Sequence, residues 1–278
     1  MLSRRTLVER DGIGLTEVVC RSARGRGQAG EHTDRHGLVF VRRGCFVREA
    51  EGIASTFDST LAYCVNPEEE ERYDHPHAGG DDCTVLSLSP ELVASLARGE
   101  ASLPRRPLAA SPEVDLEHRL LLAAARRGDD PDEVVERGIV LAARALEQDD
   151  PRPVAAGRPT TAQVRRALVA GVREALADDP RRSLPQLASD LAISPHHLSR
   201  IFSAATGTTI SRHRLRLRVR AAMERLADGE RDLARLAADL GFADQSHLCR
   251  SVRSETRRTP SALRRLLATN PCAATPSA

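Results

Sequence analysis

LPQLASDLA, residues 184–192, recurs 49 residues further on as LARLAADLG, residues 233–241. A second pair of related strings follows, HLSR at residues 197–200 and HLCR at residues 247–250, with an offset of 50. Each copy predicts a short apolar helix, a tight turn and a second helix that carries polar side chains. This is the plan of a helix-turn-helix unit, in which the second helix enters the major groove of DNA.

The first copy has the local signals of two helices. Leu184, Leu187 and Leu191 repeat at helical spacing and form one apolar stripe. Ser183 followed by Gln186 fits a capping box. Ser194-Pro195 predicts a new helix that begins with a capping serine and a proline in its first turn.

The second copy repeats this logic. Gly241 supplies the turn, and Asp244 is placed to cap the next helix. Between the two copies, residues 212–226 predict a connecting helix, and Thr259-Pro260 predicts the start of a last short helix. If the connecting helix spaces the units by about one DNA turn, roughly 34 Å, both second helices can read one duplex.

Polar side chains on the two second helices are the candidates for DNA contacts. They are His196, His197, Ser199, Arg200, Gln245, Ser246, Cys249 and Arg250. Arg200 and Arg250 are suited to guanine, and Gln245 to adenine, by paired hydrogen bonds. The two adjacent histidines could instead contact phosphate. Cys249 has two interpretations, a thiol sensor or a small residue that fills its place in the groove.

Charge is distributed unevenly along the chain. All 41 basic residues are arginine. Residues 160–278 hold 20 Arg against 11 Asp and Glu, a net charge of +9, whereas residues 1–159 have a net charge of −7. A basic C-terminal half suits phosphate neutralisation, and an acidic N-terminal half does not.

The N-terminal half predicts a small β-barrel or sandwich followed by helices. Short strand-like runs are separated by Gly, Pro and Asp at Ile13–Cys20, Gly37–Arg43, Leu61–Val65 and Cys83–Leu88. Helical patterns follow at 90–98, 113–127 and 132–148 and, beyond a Pro- and Gly-rich linker at 149–161, at 161–177. The pair at 113–127 and 132–148 can pack on the barrel or on a partner chain. The run Glu68–Glu71 predicts a solvated loop.

The C-terminal residues resemble the AraC/XylS family of bacterial transcription regulators. The resemblance is carried by Leu187-Ala188, Leu198-x-Arg200-x-Phe202, Gly207, Leu236-Ala237, Gly241-Phe242-x-Asp244-x-Ser246 and Thr259-Pro260. It implies a domain of seven helices with two helix-turn-helix units, base contacts by the candidates above, RNA polymerase as a partner and, most commonly, activation. Val252 replaces the usual phenylalanine, and arginine at 257 or 258 replaces a glycine, so the second unit is expected either to pack more loosely or to contact phosphate more than bases.

The first half resembles the cupin-like effector domain found in many such regulators. Gly30-x-His32-x-Asp34-x-His36 and His75-Pro76 fall where cupins place their two histidine motifs. The resemblance implies a barrel that binds a small effector and supports a homodimer. The candidate effector-binding residues are His32, His36, Phe40, Cys45, His75 and Cys83.

We therefore expect an α+β chain with three parts. Residues 1–112 form the cupin-like effector domain, 113–150 form linker helices with a dimerisation role, and 160–270 form the DNA-binding domain. The expected partners are double-stranded DNA, a small-molecule effector, RNA polymerase and a second copy of the chain. Effector identity, operator sequence and the sign of regulation stay open.

A metal is the alternative to an organic effector. The candidate ligands are His32, His36, His75 and His77, with the thiols of Cys45, Cys64 and Cys83 nearby in sequence. Scattered core cysteines and surface histidines explain the same residues without a metal. A metal-dependent cupin enzyme fused to a targeting module would need His32, His36 and His75 as ligands, and it lacks the usual glutamate. We therefore expect no enzyme.

Other classes of protein are disfavoured. No stretch of about 18 apolar residues predicts a membrane span, and residues 1–10 lack the apolar core of a signal peptide. Six scattered cysteines do not form a disulfide framework, so we expect free thiols and a cytoplasmic protein at the bacterial nucleoid.

Overall fold

The computed structural model describes residues 1–21, 25–26, 33–147 and 159–269. Ten strands lie among the described residues of the first 109 positions. They are β1 (Leu2–Arg10), β2 (Ile13–Cys20), β3 (Gly25–Arg26), β4 (His36–Arg43), β5 (Cys45–Ala50), β6 (Ile53–Asp58), β7 (Leu61–Val65), β8 (Glu71–His75), β9 (Asp81–Leu88) and β10 (Leu108–Ala109).

These strands form two antiparallel sheets, in the orders β1-β2-β9-β4-β7-β10 and β3-β8-β5-β6. Side chains alternate between the two faces of β4. Val39 and Val41 pack with Phe46 and Phe57 of the smaller sheet, so they lie inside the barrel. Leu38 and Phe40 lie on the opposite face, in the core that the helices cover.

Three helices follow β9, with β10 between the first and the second of them: α1 (Pro90–Leu96), α2 (Pro112–Arg127) and α3 (Pro131–Leu146). Each has a proline in its first turn, and each is capped by a side chain that accepts a hydrogen bond from a backbone N–H of that turn. The capping residues are Ser89, Ser111 and Asp130 respectively. Their buried faces join the outer face of the larger sheet in one hydrophobic core. Of the two placements predicted for the pair at 113–127 and 132–148, the structure has the one against the barrel.

Seven helices make up the C-terminal part of the described chain, as the resemblance implied. They are α4 (Pro159–Asp178), α5 (Leu184–Asp190), α6 (Pro195–Thr206), α7 (Ile210–Ala227), α8 (Leu233–Asp239), α9 (Gln245–Thr256) and α10 (Pro260–Leu267). They form two cores, one under α5 and α6 and one under α8 and α9, and α7 contributes to both. The predicted α+β class is therefore confirmed, with a double-sheet barrel before an all-helical domain.

The four predicted strand runs are confirmed as β2, β4, β7 and β9. The prediction of a solvated glutamate run is wrong for Glu69 and Glu71, which are buried. Both carboxylates pair with the buried guanidinium of Arg48, and Glu69 also accepts a hydrogen bond from Arg105. Two acidic side chains tolerate burial here because a cation and hydrogen-bond donors face them. The predicted linker at 149–161 lies almost wholly outside the described residues.

No helix in the described part of the chain is both long enough and apolar enough to cross a membrane.

Candidate DNA-reading helices and effector cavity

The first helix-turn-helix unit has the capping predicted from its sequence. The Ser183 hydroxyl accepts from the backbone N–H of Gln186, and the Gln186 side chain accepts from the Ser183 N–H at 2.8 Å. This capping box satisfies backbone groups at both ends of the first turn of α5. Ser194 caps α6 by accepting from the His197 N–H. Both helices of the unit therefore begin at a side chain that caps the first turn.

Burial on α6 separates core from candidate surface. Leu198 and Phe202 are fully buried, whereas His196, His197 and Arg200 are exposed. Ser199 is half-buried beside them. An exposed guanidinium on the second helix of such a unit can reach base edges in the major groove.

Helix α9 repeats this arrangement. Asp244 caps it by accepting from the His247 N–H at 2.6 Å, and Leu248 and Val252 are fully buried. Among the four candidate residues on this helix, Gln245, Ser246 and Arg250 are exposed. Cys249 is half-buried. The side chain at 252 is smaller than phenylalanine and still lies in the core of the second unit.

The two units also match in how their second helices end. Thr206 donates to the carbonyls of Phe202 and Thr208, and Thr256 makes the equivalent bonds to Val252 and Arg258. Both helices then end in a left-handed residue. It is a glycine at 207, with φ +69°, and an arginine at 257, with φ +57°. The duplication therefore extends to a position where only the first unit has the residue that this backbone favours.

Arginines of α7 hold the two units together. The Arg218 guanidinium donates to the carbonyl of Pro180 and to that of Gly241, both at 2.8 Å, and so bridges the entry to α5 with the turn after α8. Arg212 and Arg216 pair with the buried Glu255 of α9. These three arginines therefore contribute to the packing of the domain, and the candidate DNA contacts remain those of α6 and α9.

The barrel contains an open cavity of about 760 Å³, within the range of small-molecule sites. A chain of hydrogen bonds crosses its wall. The hydroxyls of Tyr63 and Tyr73 lie 3.2 Å apart, and Tyr73 donates to Glu71 at 2.9 Å. Burial raises the pKa of Glu71, although the positive charge of Arg48 beside it acts in the opposite direction. The wall thus combines apolar side chains with a few converging polar groups, as binding cavities do.

The predicted effector-binding residues fall into three groups. His36, His75 and Cys83 line the cavity. Phe40 lies on the other face of the sheet with its ring stacked on His118, and Cys45 is buried away from the cavity lining. His32 lies outside the described residues.

The candidate metal ligands are not brought together as a histidine set. The His36 ring bonds the side chain of Asn66, and His77 lies 3.8 Å from Asp178. His75 instead lies beside Cys20 and Asp81, two residues that the sequence did not single out. Cys20 and Asp81 are direct partners in the pairing of β2 with β9. Only the strand register could have revealed this grouping, because 61 positions separate the two residues along the chain.

The barrel contacts the C-terminal helical domain through two buried ionic clusters. In the first, Asp58 at the end of β6 is fully buried and accepts from Arg173 of α4, with His213 of α7 at 3.1 Å. Although burial opposes ionisation, the Arg173 and His213 side chains hold the pKa of Asp58 well below its usual range.

In the second cluster, Asp115 and Arg119 of α2 pair with each other, and each reaches α7. Asp115 contacts Arg220, and Arg119 contacts Glu224. Arg220 also donates to the carbonyl of Ala110 at 2.6 Å. Helix α7 is therefore anchored to the barrel domain at several points along its length.

Residues 187–266 match the model of a family described as a helix-turn-helix domain, of the AraC type. The C-terminal domain therefore contains an AraC-type helix-turn-helix region, a type of domain that binds DNA. Comparison with curated proteins found no match.

Solved structures of two kinds are similar to the chain. ToxT from Vibrio cholerae O395 is 11% identical, over 95% of this chain and 98% of that chain, with a TM-score of 0.36. A cupin superfamily protein from Desulfitobacterium hafniense DCB-2 is 12% identical, over 32% of this chain and 78% of that chain, with a TM-score of 0.28. These scores are low, so the fold assignment rests on the strand order and helix packing described above.

Proposed function

We propose that the protein is a sequence-specific transcription regulator whose binding to DNA is controlled by a small effector in the barrel cavity. The observation that carries this proposal is the buried contact of Asp58 with Arg173 and His213. It joins β6 of the barrel to α4 and α7, which belong to the same domain as α6 and α9.

A continuous path of packed side chains leads from the cavity to this contact. Phe46 of β5 lines the cavity, and its ring packs on Phe57 with centroids 5.9 Å apart. Phe57 is the residue before Asp58 in β6, which pairs with β5. An effector that moves Phe46 therefore acts on the hairpin that ends at the buried carboxylate.

The coupling we propose is a shift between two arrangements of the domains. An effector favours whichever arrangement it binds more tightly, and it changes DNA affinity only if that arrangement positions α6 and α9 differently. A typical coupling of about 1–3 kcal/mol corresponds to about a 5- to 150-fold change in affinity for DNA.

On the DNA side, we propose that Arg200 and Arg250 contact guanine and that the polar residues around them add contacts to bases or phosphate. Their exposure on α6 and α9 supports this proposal. RNA polymerase and a second copy of the chain are proposed as partners from the family resemblance alone. The proposed role is regulatory and not enzymatic.

The test uses the full chain in two steps. Selection from a randomised duplex library should recover a preferred site, with affinity that falls steeply as salt rises. A thermal-shift screen of small molecules should then identify a compound that raises the melting temperature and changes the affinity for that site. Binding to DNA without any sequence preference would overturn the proposal, and so would effectors that bind the cavity and leave DNA affinity unchanged.

A further inference from the structure

Three potential metal ligands from three strands meet at one end of the barrel. Cys20 ends β2, His75 ends β8 and Asp81 begins β9. One ligand atom from each, the thiol sulfur, a ring nitrogen and a carboxylate oxygen, lies within 4.8 Å of the other two. All three residues line the cavity.

The environment of His75 and Asp81 is that of a built site. Only 4% of His75 and 8% of Asp81 is exposed. The His75 Nε2 atom lies 2.6 Å from Asp81 Oδ1, and the Cys83 thiol donates to Asp81 Oδ2 at 3.1 Å. The other ring nitrogen, His75 Nδ1, is buried and has no hydrogen-bond partner among the described residues. A buried polar atom without a partner is costly, and a water or an ion bound in the cavity would remove this cost.

The type of ligand indicates the class of metal. A thiolate, an imidazole and a carboxylate together suit zinc and its borderline neighbours, whereas calcium and magnesium take oxygen ligands alone. Zinc lies about 2.0–2.3 Å from such ligands, so tetrahedral coordination separates ligand atoms by roughly 3.5 Å. The ligand atoms of Cys20, His75 and Asp81 lie within 4.8 Å of one another, with His75 and Asp81 at 2.6 Å, so side-chain rotations that bring each pair to this separation would complete the site.

We propose that Cys20, His75 and Asp81 bind one divalent metal ion of the zinc class in the wall of the cavity. Three protein ligands leave one tetrahedral position, which a water or a donor atom of a second molecule in the cavity can fill. This inference deepens the proposed function and rests on it for one point, that a ligand in this cavity regulates DNA binding.

The test uses the full chain, freed of metal with a chelator and kept reduced without added thiols. Cobalt(II) is the probe, because thiolate coordination gives it a strong charge-transfer band in the near ultraviolet. We expect one cobalt ion per chain and a band that zinc displaces. Cys20→Ser should abolish the band, and His75→Gln or Asp81→Asn should weaken binding at least 10-fold. Cys249→Ser, which changes a thiol on α9, should leave the band unchanged.

Folding is monitored on each metal-free variant by circular dichroism. Cys20 is only half-buried, so Cys20→Ser decides the matter even if substitutions at the buried positions prevent folding. Failure to bind cobalt in stoichiometric amount, or a band that survives in Cys20→Ser, would overturn the inference.

Affinity for the selected DNA site, measured with and without zinc, separates this inference from the proposed function. Zinc that binds through Cys20 without changing that affinity supports the metal site and counts against a regulatory role for the cavity ligand. Regulation by an organic molecule in a chain that takes up no metal supports the proposed function and rejects the metal site.

Discussion

Nη1 of Arg173 lies 2.8 Å from Oδ2 of Asp58, and this ion pair is buried between the barrel and the DNA-binding domain. Arg173 also donates to the Thr60 hydroxyl, and Thr60 donates from both its backbone N–H and its hydroxyl to Asp58. The carboxylate is therefore fully engaged. An ion pair with so many hydrogen bonds is costly to break from one side.

Asp58→Asn is expected to destabilise the chain strongly. The substitution leaves the buried Arg173 guanidinium without its counter-charge, which should cost about 3–5 kcal/mol. Asp190→Asn is the matched control, since it removes the surface partner of Arg182 and should cost no more than about 1 kcal/mol. Urea denaturation measures both. If the two variants lost similar amounts of unfolding free energy, the buried pair would contribute no more to stability than a surface pair.

Arg200→Ala and Arg250→Ala should each weaken binding to the selected DNA site by about 1–3 kcal/mol and relax specificity at one base pair. Arg137→Ala removes an exposed arginine of α3, on the barrel domain, and should leave DNA affinity unchanged. Titrations against the selected site and a scrambled duplex provide the measurement. Equal losses on both duplexes would assign the two arginines to phosphate and not to bases.

The two left-handed positions at the ends of α6 and α9 predict opposite effects on stability. Arg257→Gly should raise the free energy of unfolding by about 1 kcal/mol, because residues with a side chain pay about 1–2 kcal/mol for this backbone conformation. Gly207→Arg should lower it by a similar amount. A Cβ at 207 would meet no neighbour within 4 Å, so backbone strain alone sets the cost. Melting temperatures that move in the same direction would refute this account.

The pH dependence of stability should include a contribution from a buried histidine. His118 stacks on Phe40, and burial lowers its pKa to about 3, whereas an unfolded chain has a histidine pKa of about 6.5. The unfolded state therefore binds the extra proton below pH 6.5, and stability falls as pH decreases from there toward 3, by up to about 1.4 kcal/mol per unit.

His118→Leu should flatten part of that decrease. Unfolding measured at pH 7, 6 and 5 tests this. His213 should leave some dependence in the His118 variant, because burial lowers its pKa as well.

The features that sequence analysis predicted well are local. Helix starts at Ser183, Ser194 and Asp244 depend on a capping residue and its neighbours within one turn, so they can be identified without knowing the fold. Strands such as β4 and β7 are buried on both faces and appear as continuous apolar runs.

The features that were missed depend on contacts between distant residues. Strands β5 and β8 carry Arg48 and Glu71. Charged residues of this kind suggest a solvated loop in the sequence, and only the pairing of the two strands shows that they form a buried ion pair. The cluster around His75 depends on the register of β2 with β9, which a single sequence does not determine. The interdomain role of Asp58 likewise follows only from the placement of α4 and α7 against β6.

Helix α2 belongs to two hydrophobic layers at once. Leu121 and Ala124 pack in the core beneath the larger sheet, whereas Leu116 and Leu120 pack against the core of the second helix-turn-helix unit. Neither layer can melt without exposing the other, so the barrel and the reading helices should unfold in one cooperative transition. A DNA duplex bound to α6 and α9 would consequently slow amide hydrogen exchange in β4, in a strand that the duplex never touches.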